Sequence, residues 1–351
     1  MSLKSIKKWE KVIFDDIIDV RTPLEYLEDH IPSSINLPVL DNEERILIGK
    51  IYKKESPFKA RKLGAALVSC NISKHLKQVL LDKPGNWKPL IYCWRGGQRS
   101  KSVATVFSEI GWQTTILKGG YKTYRSKLIS KLNSLCKSLT FIVLKGKTGT
   151  AKTNLLDKLE KGRKLQVLNL ERLANHKGSL LGDIPNLPQP TQKYFESLLY
   201  FKLKNMNKKK YIFIEGESSK IGKLFLPKEL IRKITISSCI EITSSIEQRA
   251  SFLRKDYKEY IKQHEPFNKL FAHANKKLGY KIVNKWKILY KKKDWIALAT
   301  SLINDYYDPR YQFKHTKNKN KILKAINLKN LSENTLKICS RELEKQFVDF
   351  L

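Results

Sequence analysis

The chain has 351 residues, of which 41% are hydrophobic and 29% charged, a globular composition that excludes collagen-like, low-complexity and wholly disordered proteins. The 69 Lys and Arg residues against 33 Asp and Glu give a net charge of +36, which favours a polyanionic partner such as RNA or DNA. A lysine-biased genome is the alternative explanation of that excess. No apolar run reaches the ~18 residues of a membrane-spanning helix, so we expect no membrane association.

The first third of the chain predicts strands that alternate with helices. Short β-type runs lie at 17–20, 90–92 and 114–117, and a helical pattern follows at 100–110. A helical insert is expected at about 42–82. Such alternation is typical of a parallel sheet covered by helices, and it places a first domain at 1–125.

A lysine- and serine-rich stretch then predicts a linker helix over 126–139, followed by a second α/β domain at 140–245. The remaining residues, 246–351, read as a helical, basic and aromatic C-terminal region, in which 314–321 is expected to be a loop or disordered. The strands predicted for the second domain are 141–144, 165–170, 211–214 and part of 234–242.

A cysteine directly after the predicted strand 90–92 begins the motif Cys93-Trp94-Arg95-Gly96-Gly97-Gln98-Arg99-Ser100. Between a strand and a helix, the two glycines and Gln98 predict a cradle of main-chain N–H groups that holds an anion. With Arg95 and Arg99 nearby, this cradle would stabilise a thiolate, and Cys93 is therefore the predicted nucleophile. The spacing C-x5-R-S also fits a cysteine-dependent phosphatase, and a buried inert cysteine is the plain alternative.

The other four cysteines lack such surroundings and are expected to be structural. The five cysteines are scattered and include no CxxC pair, so we expect neither a zinc site nor disulfide bonds. This usage predicts a reducing, cytoplasmic location. The four residues are Cys70, Cys136, Cys239 and Cys339.

A second motif, which follows the predicted strand 141–144, is Gly146-Lys147-Thr148-Gly149-Thr150-Ala151-Lys152-Thr153. It matches the phosphate-loop pattern G-x-x-x-x-G-K-[ST] except that Ala151 stands at the second glycine. The N–H groups, including that of Gly149, would cradle phosphates, Lys152 would neutralise them, and Thr153 could bind Mg²⁺. Alanine raises the question whether this position needs a positive φ.

Two weaker signals lie near later strand ends. Glu215 and Glu217 follow the predicted strand 211–214 and are candidate partner carboxylates for the phosphate loop. His176 and Lys177 lie in a polar loop and are candidates to contact a phosphate or a base. The alternatives are solvated acids and an ordinary loop, and no residue set predicts a resident metal ion.

Taken together, these motifs resemble the tRNA 2-selenouridine synthase family over roughly residues 12–310. The resemblance departs at two points, because the family has glycine in place of Ala151 and an acid in place of Gly216. Residues 311–351 match nothing in the family pattern. Besides the two loops, the resemblance rests on Asp19-Val20-Arg21-Thr22-Pro23, His30-Ile31-Pro32, Ile35-Asn36-Leu37-Pro38, Lys118-Gly119-Gly120-Tyr121-Lys122, Tyr124-Arg125, Leu173-Ala174-Asn175-His176-Lys177-Gly178-Ser179, Gln189-Pro190, Phe195-Glu196, Glu217-Ser218, Ile221-Gly222 and Leu226-Pro227.

The resemblance implies an α/β protein: a rhodanese-like parallel-sheet domain, then a P-loop NTPase-like α/β domain with a helical C-terminal part. It implies a transferase that replaces sulfur by selenium in the wobble 2-thiouridine of tRNA through an S-geranyl intermediate. The co-substrates would be geranyl diphosphate and selenophosphate, with Cys93 as the selenium-handling nucleophile. The implied partners are tRNA and a selenophosphate supplier. No tightly bound cofactor is implied, and the requirement for Mg²⁺ stays open because both departures lie on the phosphate side.

Two other functions stay open at this point. A rhodanese-type tRNA sulfurtransferase would have the same cysteine loop, because the loop does not distinguish sulfur from selenium. A non-catalytic RNA-binding protein with a degenerate phosphate loop is favoured by Ala151 and Gly216 and disfavoured by the complete motif around Cys93.

Overall fold

The structure, a computed structural model, describes residues 3–216, 218–261, 265–315 and 320–348. The chain divides into two compact units. Unit 1 comprises Met1–Leu132 with Glu196–Phe201, and unit 2 comprises Asn133–Phe195 with Lys202–Leu351. Among the described residues, no helix is long and apolar enough to cross a bilayer.

Unit 1 contains a five-stranded parallel sheet in the order β1-β5-β4-β2-β3, with strands β1 (Ser5–Ile6), β2 (Asp16–Asp19), β3 (Ile35–Asn36), β4 (Pro89–Tyr92) and β5 (Thr115–Leu117). A 3-10 helix at Trp9–Lys11 precedes β2. The helices that begin in this unit are α1 (Pro23–Glu28), α2 (Asn42–Lys54), α3 (Pro57–Gln78), α4 (Gln98–Glu109) and α5 (Gly120–Ser138).

Local sequence explains where these helices begin. Thr22 and Glu25 form a reciprocal capping box at α1, and Asp41 and Glu44 form one at α2. Ser56 accepts hydrogen bonds at the start of α3, which also has a proline in its first turn. The inner face of α4 buries Val103, Ala104 and Phe107 in the core under the sheet.

Unit 2 contains a second five-stranded parallel sheet in the order β12-β11-β6-β8-β7, with strands β6 (Phe141–Lys145), β7 (Gln166–Leu168), β8 (Ile212–Glu215), β11 (Cys239–Thr243) and β12 (Ile322–Asn327). A short antiparallel hairpin joins β9 (Lys220–Ile221) to β10 (Leu224–Phe225). The helices up to β12 are α6 (Lys152–Gly162), α7 (Leu170–Leu173), α8 (Gln192–Lys204), α9 (Lys228–Ile236), α10 (Ile246–Asp256), α11 (Lys258–Ile261), α12 (Glu265–Leu278), α13 (Tyr280–Lys291), α14 (Trp295–Leu302) and α15 (Asp308–His315), and α16 (Glu333–Phe347) follows.

Helices α12 to α14 pack their apolar faces around Trp286, which is fully buried. A π-helical turn at Ile303–Tyr307 connects α14 to α15. The buried indole N–H of Trp286 donates to Ser301 Oγ at 3.0 Å, so this aromatic residue belongs to the core.

The predicted fold class is confirmed, but several boundaries differ from the prediction. The helix expected over 126–139 begins earlier, because it is part of α5 (Gly120–Ser138). The strand expected at 165–170 ends at Leu168, because Asn169 caps α7. The segment 234–236 belongs to the amphipathic helix α9, which buries Leu230 and Ile234 one turn apart. Within the stretch 314–321, residues 316–319 lie outside the described residues.

A further difference concerns the C-terminus. The sequence predicts that residues 322–347 belong to a helical C-terminal region, whereas in the structure they complete the sheet of the second domain. β12 pairs in parallel with β11, and α16 joins α6 in one apolar core that contains Leu155, Leu336 and Leu343. Among the described residues, β12 stands at the edge of this sheet, and its alternating burial shows that one of its faces is the more covered.

Candidate functional site

The cysteine loop lies where the central strand β4 ends and α4 begins. Cys93 is 3% exposed, and its Sγ lies 3.3 Å from the hydroxyl oxygen of Ser100 in the first turn of α4. Gly96 has φ of 65°, a conformation that glycine adopts without strain. The predicted strand–cysteine–glycine–helix arrangement is therefore present.

A second glycine pair holds this loop in place. A Cβ atom on Gly120 would lie 2.2 Å from the carbonyl oxygen of Cys93, so only glycine permits this approach. The main-chain N–H of Tyr121 donates to that same oxygen at 2.9 Å, and the N–H of Lys122 donates to the Trp94 oxygen at 3.0 Å. The start of α5 thus fixes the carbonyl side of the loop and leaves its N–H side available.

The N–H side is the anion cradle. In the part of the chain that the structure describes, it records no protein acceptor for the main-chain N–H groups of residues 94–100. The N–H groups of Gln98, Arg99 and Ser100 belong to the first turn of α4, where the helix supplies no acceptor. Converging donors at a helix N-terminus favour an oxyanion beside the Cys93 sulfur.

The two predicted arginines take different positions. Arg95 is exposed at the rim of the loop. Arg99 Nη1 donates to Glu25 Oε2 at 2.6 Å, in an ion pair that is largely shielded from solvent. Burial alone would raise the pKa of Glu25, but the hydrogen bond and charge of Arg99 outweigh burial and lower that pKa. Arg99 is therefore held by Glu25, and Arg95 is the more accessible cation.

A buried polar cluster, to which the sequence analysis assigns no role, contacts Tyr121 at the start of α5, next to the cysteine loop. Arg21 pairs with Asp19 at 2.6 Å, donates to the carbonyl oxygen of Asp29 at 2.6 Å, and lies 4.1 Å from the ring centroid of Tyr121. The Tyr121 hydroxyl donates to Asp29 Oδ2 at 2.7 Å. Burial and the Asp29 charge both raise the pKa of Tyr121, so it stays a neutral donor. The sequence feature that points to this cluster is the motif Asp19-Val20-Arg21. In the structure, Asp19 and Arg21 form a buried ion pair rather than surface charges.

The phosphate loop occupies the equivalent place in unit 2, between β6 and α6. A Cβ on Gly146 would lie 2.5 Å from the carbonyl oxygen of Ile242, so glycine is required by close packing. Ala151 has φ of 57° and ψ of 29°, which is the left-handed conformation. This position does need a positive φ, and alanine adopts it at a cost of roughly 1 kcal/mol.

Lys152 reaches back over the loop. Its Nζ donates to the carbonyl oxygens of Gly146 at 2.7 Å and Lys147 at 3.3 Å. The structure records no acceptor among the described residues for the main-chain N–H groups of Lys147, Thr148 and Gly149. These donors and the Lys152 ammonium form a second anion site at a helix N-terminus.

Two carboxylates lie behind Thr153, and one of them was not predicted. The Thr153 hydroxyl donates to Glu171 Oε2 at 2.7 Å, and the Glu171 main-chain N–H donates to Glu215 Oε1 at 2.6 Å. Glu215 is 1% exposed, whereas the second predicted carboxylate, Glu217, lies outside the described residues. Within the residues that can be examined, no three His, Cys, Asp or Glu side chains form a metal-binding group.

Contacts from residues distant in the chain hold the phosphate loop in place, and no local pattern predicts them. Arg249 Nε donates to the Thr148 carbonyl oxygen at 2.8 Å, and its other nitrogens form a two-pronged pair with Asp308 at 2.9 and 2.6 Å. Lys147 Nζ also lies 3.1 Å from Asp308. Burial would raise the pKa of Asp308, but hydrogen bonds to Arg249 and Lys147 lower it.

The His176 side chain is buried and closely packed, so it is not open to a ligand. Its ring packs between Gly182 and Gly222, where a Cβ would lie 2.5 and 2.7 Å from ring carbons. The N–H of Gly178 donates to His176 Nδ1 at 3.0 Å, and burial lowers the pKa of the imidazole. Lys177 donates to Asp256 Oδ2 at 2.8 Å. The structure therefore does not bring either side chain to the phosphate loop as a free ligand.

The remaining cysteines differ from Cys93 in their surroundings. All five are free thiols. Burial raises the pKa of Cys136 to about 12 and that of Cys339 to about 11, and it also raises the pKa of Cys239. Cys70 is exposed on α3, away from any glycine loop.

In comparisons with known proteins, one family domain matches the region of each loop. A family model described as a rhodanese-like domain matches residues 2–127, and one described as the tRNA 2-selenouridine synthase AAA domain matches residues 139–285.

Several relatives that match over most of their length carry the name tRNA 2-selenouridine synthase. The protein from Sulfurovum sp. (strain NBC37-1) is 33% identical, covering 88% of this chain and 90% of the relative. The Marinobacter nauticus protein is 30% identical, covering 88% and 90%. The Shewanella halifaxensis protein is also 30% identical, covering 92% and 96%. With a cysteine cradle in the first unit and a phosphate loop in the second, this chain belongs to the tRNA 2-selenouridine synthase family.

Proposed function

We propose that the chain modifies the wobble 2-thiouridine of tRNA in two steps, geranylation of the sulfur followed by replacement of the geranylthio group with selenium. Family membership supports a tRNA-modifying enzyme. The observation that carries the two-step proposal is the presence of two separate anion cradles, one beside a thiol and one beside a lysine.

The phosphate loop serves the first step. The thiouridine sulfur forms a bond to C1 of geranyl diphosphate while the C1–O bond breaks and diphosphate leaves, and the N3 proton of the base passes to the departing diphosphate or to water. Lys152 and the N–H groups of Lys147, Thr148 and Gly149 stabilise the charge that grows on the departing diphosphate. Thr153 and Glu171 would hold a Mg²⁺ ion, which would neutralise further charge on the diphosphate.

The cysteine loop serves the second step. The Cys93 thiolate attacks the phosphorus of selenophosphate, an S–P bond forms, and the Se–P bond breaks to release selenide. The selenide forms a bond to C2 of the base while the C2–S bond breaks and geranylthiolate leaves, so no oxidant is needed. Water then hydrolyses the S–P bond on Cys93 and releases phosphate. The cradle around Cys93 binds the selenophosphate anion, and Cys93 is assigned as the nucleophile that handles the selenium donor, with Ser100 beside its sulfur.

The charge of the chain supports tRNA as the partner. Helices α12 and α13 present the exposed residues Lys276, Lys277, Lys281 and Lys285. Tyr280, which is 70% exposed beside them, is available to stack on a base, whereas Trp286 is not. Deleting the chain after residue 250 would be a poor test of this surface, since β12 and α16 belong to the core of unit 2.

The test is stepwise reconstitution with the purified full chain and tRNA that contains 2-thiouridine. Geranyl diphosphate alone should give S-geranyl-2-thiouridine, and later addition of selenophosphate should convert it to 2-selenouridine, as measured by mass spectrometry of the nucleosides. Selenouridine formed without geranyl diphosphate would refute the order of steps. Sulfur exchange without selenium incorporation would favour the sulfurtransferase, and unaltered tRNA that nevertheless binds would favour a non-catalytic protein.

A further inference from the structure

An apolar cavity in unit 2 opens beside the phosphate loop. Thr148 of the loop forms part of its wall, and most of the remaining wall is apolar, including Leu253, Phe267, Trp295, Leu298 and Ala299. Leu253 connects the two features, because its side chain lies 3.1 Å from where a Cβ on Gly149 would be. The phosphate site and the apolar cavity are therefore neighbours.

The wall also contains the side chains of Ser179, Tyr257 and Arg254, and the first two are paired with each other. The Tyr257 hydroxyl lies 2.9 Å from Ser179 Oγ, and the ammonium of Lys177 lies 4.8 Å from the Tyr257 ring centroid. A nucleotide base would need hydrogen-bonding groups that face it, and this wall is predominantly apolar. The lining therefore favours a hydrocarbon occupant.

The size of the cavity also favours a thin occupant. Its volume is about 60 Å³. At roughly 10–15 Å³ for each water-sized atom, this space holds about four to six non-hydrogen atoms, and the five carbons of one isoprene unit fit that number.

We propose that this cavity binds the terminal isoprene unit of the substrate whose diphosphate lies in the phosphate loop, and that Leu298 and Ala299 of α14 select its chain length. The assignment rests on the proposed geranylation and adds residues that determine its specificity. Both side chains are buried in the wall, with exposures of 2% for Leu298 and 8% for Ala299. A larger side chain at position 299 would fill the cavity, whereas a smaller one at 298 would extend it.

Binding to the full-length protein tests the assignment, with inorganic diphosphate, geranyl diphosphate and farnesyl diphosphate as ligands in calorimetry. We expect the wild type to bind geranyl diphosphate at least about tenfold more tightly than diphosphate, since each buried methylene adds affinity. Ala299→Leu should remove most of that advantage and leave the affinity for diphosphate within about twofold. Leu298→Ala should increase the preference for farnesyl over geranyl diphosphate.

Leu336→Ala is the matched control, because Leu336 is equally buried in unit 2 but lies outside the cavity wall. The Leu336→Ala protein should show the same ligand preferences as the wild type, even where the substitution lowers its thermal stability. Equal binding of diphosphate and geranyl diphosphate by the wild type, or an unchanged preference in folded Ala299→Leu and Leu298→Ala, would overturn the assignment. Cavity-dependent binding without any geranyl transfer would support the cavity and refute the proposed geranylation instead.

Discussion

The cysteine loop and the phosphate loop have similar surroundings in the fold, but different residues hold each of them in place. Each lies between a parallel strand and a helix, and each presents main-chain N–H groups to an anion. The cysteine loop uses glycine wherever the backbone is crowded, and residues soon after it in the chain, Gly120 and Tyr121, hold it. The phosphate loop has Ala151 at a left-handed position, and distant residues such as Arg249 and Asp308 hold it.

This contrast shows which parts of an anion site are determined by the nearby sequence. A glycine pattern is enough to build the cradle, whereas the rigidity of the cradle depends on what packs behind it. The phosphate loop keeps its shape despite the alanine because Arg249, paired with Asp308, holds Thr148, and the Thr153–Glu171 contact holds the end of the loop at α6.

The largest effect is expected at the cysteine loop. Cys93→Ser should lower 2-selenouridine formation by roughly a thousandfold or more, since the proposed nucleophile is lost, while geranylation continues. Cys70→Ser is the control and should retain wild-type activity. Rates of selenouridine formation by mass spectrometry provide the measurement, and persistent selenation in folded Cys93→Ser would rule out the assignment.

At the phosphate loop, Lys152→Ala should slow geranyl transfer by about 10²–10³-fold, because one preorganised charge is removed from the leaving diphosphate. Lys161→Ala, an exposed lysine on the same helix, is the matched control and should leave the rate unchanged. Rapid-quench measurement of the geranylated nucleoside is the assay. A wild-type rate in Lys152→Ala would mean that the loop is only architecture.

The long-range brace predicts a stability effect. Arg249→Ala should lower the free energy of unfolding by about 3 kcal/mol, because Asp308 then loses its main partner in a buried site. Arg249→Lys should recover only part of that loss, since an ammonium cannot form the two-pronged pair. Denaturant unfolding of both variants is the measurement, and wild-type stability in Arg249→Ala would show that the loop needs no such brace.

The packing of His176 predicts that the stability of unit 2 depends on pH. Burial lowers the pKa of His176 in the folded state, so the folded protein binds fewer protons than the unfolded chain. This contribution to stability is complete above the unfolded pKa of about 6.5 and is lost as the pH falls below it, at up to ~1.4 kcal/mol per pH unit. His176→Gln should show a shallower decline between pH 6.5 and 5 in denaturant titrations, and identical slopes would contradict the prediction.

The smallest effect is expected at Ala151. Glycine would relieve the left-handed strain but would lose a buried methyl group and add freedom to the unfolded chain, so Ala151→Gly should change stability by less than about 1 kcal/mol. Geranyl transfer should stay equal or rise slightly. Ala151→Val should instead destabilise strongly, because a β-branched residue is poorly tolerated at this φ. Equal melting temperatures for the glycine and valine variants would contradict this account.

Sequence reasoning found what depends on neighbours along the chain. Both loops, their flanking strands and helices, and the arrangement of two α/β units follow from glycine placement and periodicity. Gly216, a departure from the family pattern, lies in a tight space where a Cβ would be 3.3 Å from the Leu144 carbonyl oxygen. An acid there would require a small shift of its neighbours, which only the structure reveals.

What escaped prediction depends on tertiary contacts. Arg249 and Asp308 look like ordinary helix charges in the sequence, and Glu171 is a single acid in a polar stretch. The edge strand β12 follows a basic stretch that gave no strand signal, and its place beside β11 was not foreseeable from local pattern. The apolar cavity is assembled from several helices and a loop, so no sequence window contains it.

The central claim is that the two loops perform successive chemical steps, and the nucleoside that accumulates in each loop variant tests it most directly. Cys93→Ser and Lys152→Ala proteins would each be incubated with 2-thiouridine tRNA, geranyl diphosphate and selenophosphate, and the wobble nucleosides identified by mass spectrometry. The account predicts S-geranyl-2-thiouridine with Cys93→Ser and unchanged 2-thiouridine with Lys152→Ala. The same nucleoside accumulating with both variants, or 2-selenouridine with either at the wild-type rate, would contradict it.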